Sequence, residues 1–501
     1  MNKLSFLART SLLIAFFFFI DKILAFVRVG IISRQFADSL ELLDTFNAAN
    51  NLPDVLFALI SGGALALAFI PLMSDYLTTR GRAAAWDLFS RVANLAFIVT
   101  GSAAILVALF AEPIVNAELG IAPGFGPEQR ALLAELMRLN LVGLVIFSIS
   151  GLVMASLQAN QHFLLPALAP TMYNVGQIFG AIFLVPRFGI HGLVYGVIVG
   201  AALHLLVQIP GLLRFQFRWT PALDLRHTGL LDALKLLAPR LLTMLGIQLI
   251  VIARDNLASR LDQVGAVTSL AYGWMIMQVP ETLLGTAIAT AMLPTLSEYA
   301  ARADWKEFHL AVEKALRILI ALTIPVAAVM IAGINPLVRA AFGFDAATST
   351  LVTWTTRAYL LTLTGYCIQE IAARSFYARK EPLPPLYAVG LRLLLFIGIG
   401  IVGITFFRQV GAPIIALAEI ALLIEAIVLF TWQSRRTHAP LGVWSAVIRG
   451  VAAALVGGAL AYLVALYMPG SAIWTALLGM IVGGLAALPL IWSEVRLLLK
   501  L

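Results

Sequence analysis

The sequence contains few charged residues and almost no cysteine. Charged side chains make up 12% of its 501 residues, whereas soluble globular domains average roughly 25%. The single cysteine, Cys367, excludes an intrachain disulfide framework and a cysteine-based zinc site. Apolar residues make up 61% of the chain, and the mean hydropathy is +0.95. Because so much apolar surface cannot be hidden in one water-soluble core, these values indicate a polytopic membrane protein.

Motifs of enzymes and of nucleotide-driven pumps are also missing. The stretch from Gly398 to Gly403 fits the dinucleotide pattern G-x-G-x-x-G, but it lies inside an apolar run without a strand–helix–strand context. No glycine-rich loop is followed by Lys-Ser or Lys-Thr, and the 6 histidines are scattered without metal-ligand spacing. We therefore expect a protein that is not an enzyme and that has no metal site and no cofactor.

Apolar runs of about 20 residues recur along the whole chain, each long enough to cross the ~30 Å hydrocarbon layer as a helix. Because no small-residue cleavage site follows the first run, it is expected to be a retained helix rather than a signal peptide. The runs predict an all-α protein with fourteen transmembrane helices, centred near 11–33, 52–74, 90–111, 137–157, 165–185, 191–212, 236–253, 270–292, 312–333, 352–372, 384–406, 412–432, 445–467 and 471–493.

Basic residues are distributed unequally between alternate loops. Most of the 34 lysines and arginines fall on the side that carries both termini. The positive-inside rule then predicts a multi-pass protein of the cytoplasmic (inner) membrane with both termini in the cytoplasm. The net charge of +8 reflects this asymmetry and an attraction to anionic membrane lipids. Since the charge is not gathered on one soluble domain, no nucleic-acid partner is expected.

The two halves of the chain are related by an internal repeat. Phe69–Tyr76 aligns with Met292–Tyr299, and both segments contain a proline followed three residues later by serine. Similar offsets pair Pro113 with Pro336, Gly120 with Gly343, Leu52-Pro53-Asp54 with Val279-Pro280-Glu281, and Pro166 with Pro385. Because each copy holds six predicted spans, both copies enter the membrane from the same side. The repeat therefore predicts two parallel six-helix lobes around a central cavity.

The repeat also predicts the domain boundaries. We expect an N-terminal lobe at 1–213, a cytoplasmic interfacial linker at 214–235, a C-terminal lobe at 236–436 and two additional helices at 437–501. The basic linker is expected to form an amphipathic surface helix, with a regulatory or partner-binding role as the alternative. The two additional helices are expected to pack against one lobe. Close helix packing is predicted at the four-residue glycine spacings of Gly192, Gly196, Gly200, Gly479 and Gly483.

Ionisable residues inside predicted spans are the best candidates for a functional site, because each costs several kcal/mol unless it faces water or a partner. The first span contains Asp21, Lys22 and Arg28, and the seven-residue spacing of Asp21 and Arg28 puts them on one helix face. One interpretation is a self-compensating group that stabilises the helix. The other is a cavity-facing cationic site for an anionic substrate, in which the fork of Arg28 suits phosphate.

A second group lies in the predicted C-terminal lobe. Arg392 falls in the eleventh span, and Glu419 and Glu425 fall in the twelfth. A buried ion pair between the two helices is one interpretation. An ion-coupling site is the other.

Several stretches resemble the MurJ/MviN family of lipid II flippases, which belongs to a larger group that includes multidrug exporters and polysaccharide-precursor flippases. The likeness covers the first twelve spans and is carried by the segments 23–28, 160–170, 288–297 and 375–380 and by Asp44 with Leu52-Pro53. The resemblance implies a flippase that moves a polyprenyl-pyrophosphate-linked cell-envelope precursor from the inner to the outer leaflet by alternating access. It implies a substrate-binding set of Arg28, Lys22, Asp21, Asp44 and Asn51.

The sequence departs from the family pattern at other cationic positions. Phe57 and Met275 stand where the family has arginines, and Gln278 replaces an acidic partner. The coupling ion is therefore open, and membrane potential is the candidate driving force. Two alternatives remain: a cation- or proton-coupled exporter of related fold, and a non-transporting scaffold for envelope synthesis. The expected partners are an anionic polyprenyl lipid, membrane lipids and, on the scaffold interpretation, envelope-synthesis enzymes.

Overall fold

The structure is a computed structural model that describes residues 3–62, 64–223, 228–437 and 441–498. Every regular element in those ranges is helical, in agreement with the all-α prediction. The chain divides into two compact units, unit 1 (Met1–Ile252) and unit 2 (Ala253–Leu501).

Unit 1 contains a succession of long helices joined by short turns. Two stretches, Phe57–Gly62 and Gly180–Leu184, are π-helical. The α-helices are α1 (Lys3–Gln35), α2 (Leu40–Ala49), α3 (Asn51–Leu56), α4 (Ala64–Thr79), α5 (Gly81–Leu109), α6 (Ala111–Asn116), α7 (Pro127–Ala159), α8 (Leu164–Phe179), α9 (Val185–Phe188), α10 (His191–Leu206) and α11 (Ile209–Arg214), and α12 (Thr228–Ser259) leads into unit 2.

Unit 2 is built in the same way. Its α13 and α14 are separated by a π-helical segment, Thr282–Thr286, and short 3-10 turns lie at Arg408–Val410 and Leu488–Ile491. The α-helices are α13 (Ala266–Glu281), α14 (Ala287–Ala301), α15 (Trp305–Phe342), α16 (Ala346–Ala378), α17 (Leu383–Phe406), α18 (Ala412–Leu417), α19 (Ile420–Thr437), α20 (Trp444–Tyr467), α21 (Ala472–Ala487) and α22 (Trp492–Leu498).

Eleven stretches of helix in the described residues are long and apolar enough to cross a membrane. They coincide with eleven of the fourteen predicted spans. The first, second and tenth predicted spans fall on α1, on the α3–α4 segment and on α16, which are helical as well. The protein is therefore a multi-pass helical membrane protein, and the count of fourteen spans remains a prediction.

A π-helical segment occurs at a corresponding place of the predicted repeat in each unit. In each unit a short π-helical segment interrupts the second predicted span of the repeat, between α3 and α4 and between α13 and α14. Pro166 and Pro385 are each the third residue of their helices, α8 and α17. Proline is tolerated in the first turn because the N–H groups there have no partner inside the helix.

Small residues bring neighbouring helices into close contact, as the glycine spacing predicts. In unit 1, α8 and α10 approach so closely that a Cβ built on Gly180 would lie 2.9 Å from the carbonyl oxygen of Gly192. In unit 2, a Cβ on Gly479 of α21 would lie 2.7 Å from the carbonyl oxygen of Ala461 on α20. Only glycine fits at such distances, so these positions determine how closely the helix axes approach.

The two additional helices, α20 and α21, pack against α15 of unit 2, as expected. A Cβ on Gly333 of α15 would lie 2.9 Å from the side chain of Met480 on α21. At the end of the bundle, the fully buried Glu494 of α22 forms ion pairs with Arg449 of α20 at 2.9 Å and with Arg317 of α15 at 3.5 Å. The packing is thus apolar along the helices and ionic at one end.

The structure of the segment 214–235 differs from the predicted linker in two ways. Residues 215–223 are not helical, so the expected amphipathic helix is wrong for them. They lie against α5, where Trp86 Nε1 donates to the Phe215 carbonyl at 2.9 Å and Asn94 Nδ2 donates to the Thr220 carbonyl at 2.9 Å. Helix α12 begins at Thr228 rather than near 236, and the unit boundary lies within it at Ile252. The remaining linker residues, 224–227, are outside the described residues.

Candidate functional site

The ionisable residues of α1 lie beside α8 in unit 1. The Asp21 carboxylate accepts a hydrogen bond from Asn174 Nδ2 at 2.7 Å. Arg28 is half-buried, and its charge acts on the hydroxyl of Tyr173, the residue before Asn174. Among the described residues, no carboxylate forms an ion pair with Arg28. Since Asp21 is engaged by α8, the described part of the structure does not pair it with Arg28, and the guanidinium of Arg28 has no carboxylate partner there.

The other predicted substrate-binding residues are placed differently. Lys22 is exposed on α1. Asp44 on α2 is 3% exposed and Asn51 on α3 is 6% exposed, and both have partners within the protein. In this conformation Asp44 and Asn51 are therefore enclosed by unit 1, whereas Lys22 and Arg28 remain accessible. Their role in binding substrate stays a prediction.

Unit 1 contains a cavity of about 280 Å³ next to this segment, which we call the unit 1 cavity. It is formed by α7, α8 and α10 together with the α2–α3 junction. Its polar lining residues are Asn50, Asp54, Asn140, Tyr173 and His204, and its apolar lining residues include Pro53, Phe57, Leu144, Phe147, Pro170 and Val197. The Tyr173 hydroxyl lies within electrostatic range of both Arg28 and Asp54, which connects the cavity to α1.

The cavity contains a hydrogen-bond acceptor that the protein does not use. Asn140 is 2% exposed, and its Nδ2 donates to Asn50 Oδ1 at 3.1 Å. Its Oδ1 atom is buried and has no hydrogen-bond partner among the residues that the structure describes. An unsatisfied buried carbonyl costs about 1–3 kcal/mol, so this atom is poised to accept a hydrogen bond from a guest molecule.

Aromatic rings form one wall of the unit 1 cavity. The ring of Phe147 lies edge to face with those of Phe57 at 5.6 Å, Tyr173 at 4.8 Å and His204 at 5.1 Å between centroids. The imidazole of His204 is hydrogen-bonded to Ser150, which is in turn hydrogen-bonded to Gln208. Ser150 Oγ lies 2.6 Å from His204 Nδ1 and accepts from Gln208 Nε2 at 2.9 Å.

The C-terminal candidates Arg392, Glu419 and Glu425 do come together, in unit 2. Arg392 Nη2 lies 2.7 Å from Glu419 Oε2 and 2.9 Å from the hydroxyl of Tyr366, and Arg392 Nη1 lies 3.6 Å from Glu425 Oε2. Gln369 Nε2 donates to the second oxygen of Glu425 at 2.9 Å. We call these five residues the Arg392 cluster. The buried ion pair is therefore present, and two carboxylates share one guanidinium.

A second buried ion pair in unit 2 was missed by the sequence reasoning. Arg254 Nε lies 2.7 Å from Asp255 Oδ1 near the end of α12, and Asp255 is fully buried. Trp274 connects this region to the Arg392 cluster, since its ring contacts both Tyr359 and Tyr366. The predicted seventh span ended at 253, which placed both charged residues in a loop. A longer helix, continued to Ser259, would have identified them as intramembrane.

The unit 1 cavity was also missed. The repeat contained a signal for Asp54, because it pairs Leu52-Pro53-Asp54 with Val279-Pro280-Glu281 and so places a carboxylate after a proline in both halves. No comparable signal marked Asn140, Tyr173 or His204. Among the described residues, no group of three or more His, Cys, Asp or Glu side chains is arranged to hold a metal ion.

The fold is that of polytopic transporters. A solved structure described as "Lipid II flippase MurJ, inward closed conformation" matches with a TM-score of 0.76 and 22% identity, over 96% of this chain and 98% of that one. An inward-facing multidrug resistance MATE family transporter of the MOP superfamily matches with a TM-score of 0.68 and 15% identity, over 83% and 94% of the two chains. At such identities the likeness defines the class of fold.

The sequence comparison is more specific. The family model "Lipid II flippase MurJ" matches residues 33–480. A lipid II flippase MurJ from Burkholderia cenocepacia is 29% identical over 425 residues, which is 81% of either chain. A probable lipid II flippase MurJ from Borreliella burgdorferi is 25% identical over 420 residues, or 82% of this chain and 80% of that protein. The chain belongs to the MurJ family.

Proposed function

We propose that this protein is a flippase that moves a lipid II-like, polyprenyl-pyrophosphate-linked precursor from the inner to the outer leaflet of the cytoplasmic membrane. Arg28 is the observation that carries the proposal. A guanidinium in a transmembrane segment without a carboxylate partner is costly, and it is stabilised when an anionic group binds. A pyrophosphate offers paired oxygens that match the guanidinium fork. Membership of the MurJ family supports the same substrate class.

The transport step needs no nucleotide. The protein shelters the polar headgroup from hydrocarbon while the prenyl tail remains in lipid. An inside-negative membrane potential favours outward movement of an anion by about 2.3 kcal/mol per charge for each 100 mV. Membrane potential is therefore a sufficient driving force for a pyrophosphate-linked lipid.

The transmembrane arrangement that we propose has fourteen spans, two parallel six-helix repeats and both termini in the cytoplasm. Cysteine labelling in intact cells tests it, since the only native cysteine, Cys367, is buried. Leu119, 93% exposed after α6, is expected on the outer side, and exposed Arg302 after α14 on the cytoplasmic side. A membrane-impermeant maleimide should label Leu119→Cys and leave Arg302→Cys unlabelled until the cells are opened. The reverse pattern would contradict the orientation.

We also propose that the Arg392 cluster is the ion-coupling site. Two carboxylates around one guanidinium leave one negative charge for a proton or a monovalent cation to neutralise. Glu425→Gln removes that charge and should abolish any dependence of transport on the pH or sodium gradient. A gradient dependence that survives in Glu425→Gln would exclude the cluster from coupling.

Complementation tests the function directly. Expression of this chain in a bacterium depleted of its own lipid II flippase should restore growth and prevent accumulation of lipid-linked precursors. The exporter alternative predicts no rescue and a gain of drug resistance. A protein that is present in the membrane at normal levels while precursors still accumulate would refute the proposal.

A further inference from the structure

The unit 1 cavity has the composition of a site for a neutral, hydroxyl-rich group. It offers acceptors (the Asp54 carboxylate and Asn140 Oδ1, which has no partner among the described residues), and the imidazole of His204 is a further polar group in its lining. Phe147 and its ring neighbours supply an apolar wall. Small-molecule sites characteristically combine an apolar lining with a few convergent polar groups.

The size of the unit 1 cavity favours a monosaccharide over a single cation as its occupant. Its volume of about 280 Å³ corresponds to several water molecules, each of which takes up roughly 30 Å³ in the liquid. A single dehydrated cation would leave most of this space unfilled. A monosaccharide ring would displace these waters and present hydroxyl donors to Asn140 and Asp54.

The position of the cavity supports the same occupant. Tyr173 lines it and lies within electrostatic range of Arg28, the residue proposed to bind pyrophosphate. In a glycolipid of this kind the sugar is bonded directly to the pyrophosphate, so a sugar site must adjoin the pyrophosphate site. We infer that the unit 1 cavity binds the first sugar of the lipid headgroup, with Asn140 and Asp54 accepting hydrogen bonds from its hydroxyl or amide groups. This inference rests on the proposed function.

Two lipids that differ only in the sugar test the inference. The probes are undecaprenyl pyrophosphate and undecaprenyl-pyrophosphoryl-N-acetylglucosamine, and binding to the purified full-length protein in nanodiscs is measured by native mass spectrometry. The wild-type protein should bind the sugar-bearing lipid about tenfold more tightly, because the sugar adds hydrogen bonds to Asn140 and Asp54; tenfold corresponds to about 1.4 kcal/mol. Asn140→Leu and Asp54→Leu, which each remove an acceptor, should reduce that ratio towards one while leaving the affinity for undecaprenyl pyrophosphate within about twofold of wild type.

The controls distinguish this inference from the proposed function. Asn116→Leu changes an exposed asparagine at the end of α6 and should keep the wild-type ratio. Tyr173→Phe, which removes only a hydroxyl, provides a second pocket variant should Asn140→Leu fail to fold, and it too should reduce the ratio. Equal binding of both lipids by the wild type would overturn the sugar site alone, whereas binding of neither would refute the flippase proposal. Sodium binding that is lost in Asp54→Leu with an unchanged lipid ratio would show a cation site instead.

Discussion

Arg392 holds together two glutamates that would otherwise be buried with uncompensated charge. Its side chain and that of Glu419 are each 6% exposed, and the side chain of Glu425 is fully buried. Removing one member of a buried ion pair typically costs about 3–5 kcal/mol, mainly because the remaining charge is left in a low-dielectric interior. The cluster is therefore a structural requirement of unit 2 as well as the candidate for ion coupling.

Arg392→Met should consequently lower the free energy of unfolding by about 3–5 kcal/mol. The measurement is thermal unfolding of the purified protein in detergent. Arg408→Met is the matched control, because Arg408 pairs with Asp262 at 2.8 Å while both side chains are exposed, at 51% and 86%, and such surface pairs contribute at most about 1 kcal/mol. Adding Glu419→Gln to Arg392→Met should restore part of the loss. Equal, small losses in Arg392→Met and Arg408→Met would contradict the assignment.

Asp345 illustrates a charge whose contribution depends on pH. It precedes α16, and its carboxylate accepts a hydrogen bond from the Thr348 N–H at 2.9 Å. Hydrogen bonds from Thr348 hold the pKa of the Asp345 carboxyl below its usual value. Because the folded-state pKa is lowered, this stabilisation is present above the unfolded pKa of about 3.9 and is lost as the pH falls through the folded value.

Asp345→Ala should therefore reduce stability by about 1 kcal/mol at neutral pH, and the difference from wild type should shrink below about pH 4. Thermal unfolding at a series of pH values measures both effects. Asp345→Asn retains an acceptor for the Thr348 N–H and should lose less. A difference between wild type and Asp345→Ala that is the same at pH 3 and pH 7 would show that the capping carboxylate does not act in this way.

At the scale of helices, close packing by glycine is the feature that the sequence predicted best. Gly483 of α21 lies against Gly457 of α20, and a Cβ on Gly457 would lie 2.7 Å from the carbonyl oxygen of Gly483. The next residue, Gly484, faces open space, with no atom within 4 Å of a Cβ built on it. Two adjacent glycines of one helix thus differ only in what they face.

This contrast gives a sharp prediction. Gly483→Ala should push α20 and α21 apart and destabilise the protein by about 1–3 kcal/mol, as overpacked interiors do. Gly484→Ala should leave stability unchanged or raise it slightly, because alanine has the higher helix propensity. Thermal unfolding of the two variants, measured side by side, checks the difference. Similar behaviour of both would mean that the α20–α21 contact is less close than the structure shows.

Helix positions could be predicted from the sequence because hydropathy is a local property, averaged over one run of residues. The unit 1 cavity could not be predicted in the same way. It depends on how four segments rotate about their axes, so that Asn140 of α7 and His204 of α10 face the same space as Asp54. The helix predicted for the linker was wrong for a related reason. Backbone carbonyls of Phe215 and Thr220 accept hydrogen bonds from side chains of α5, and these contacts between distant segments outweigh local helix propensity.

At the scale of the whole molecule, one local feature recurs in both units. The π-helical segments at Phe57–Gly62 and Thr282–Thr286 follow equivalent prolines, Pro53 and Pro280. The ionisable residues of the two units are nevertheless different. Unit 1 presents Arg28 beside the unit 1 cavity. In unit 2, Arg254 and Arg392 are paired with carboxylates, and Arg357 of α16 donates to the Ile331 carbonyl at 2.9 Å.

The central claim is that Arg28 binds the pyrophosphate of a lipid that this protein carries across the membrane. The most direct test is transfer of fluorescent lipid II between leaflets of proteoliposomes that contain the purified protein. The wild type should transfer the lipid faster than protein-free vesicles, and Arg28→Ala should abolish that transfer. Arg187→Ala, which changes an exposed arginine of α9 in the same unit, should transfer at the wild-type rate. Transfer by Arg28→Ala at the wild-type rate would contradict the account.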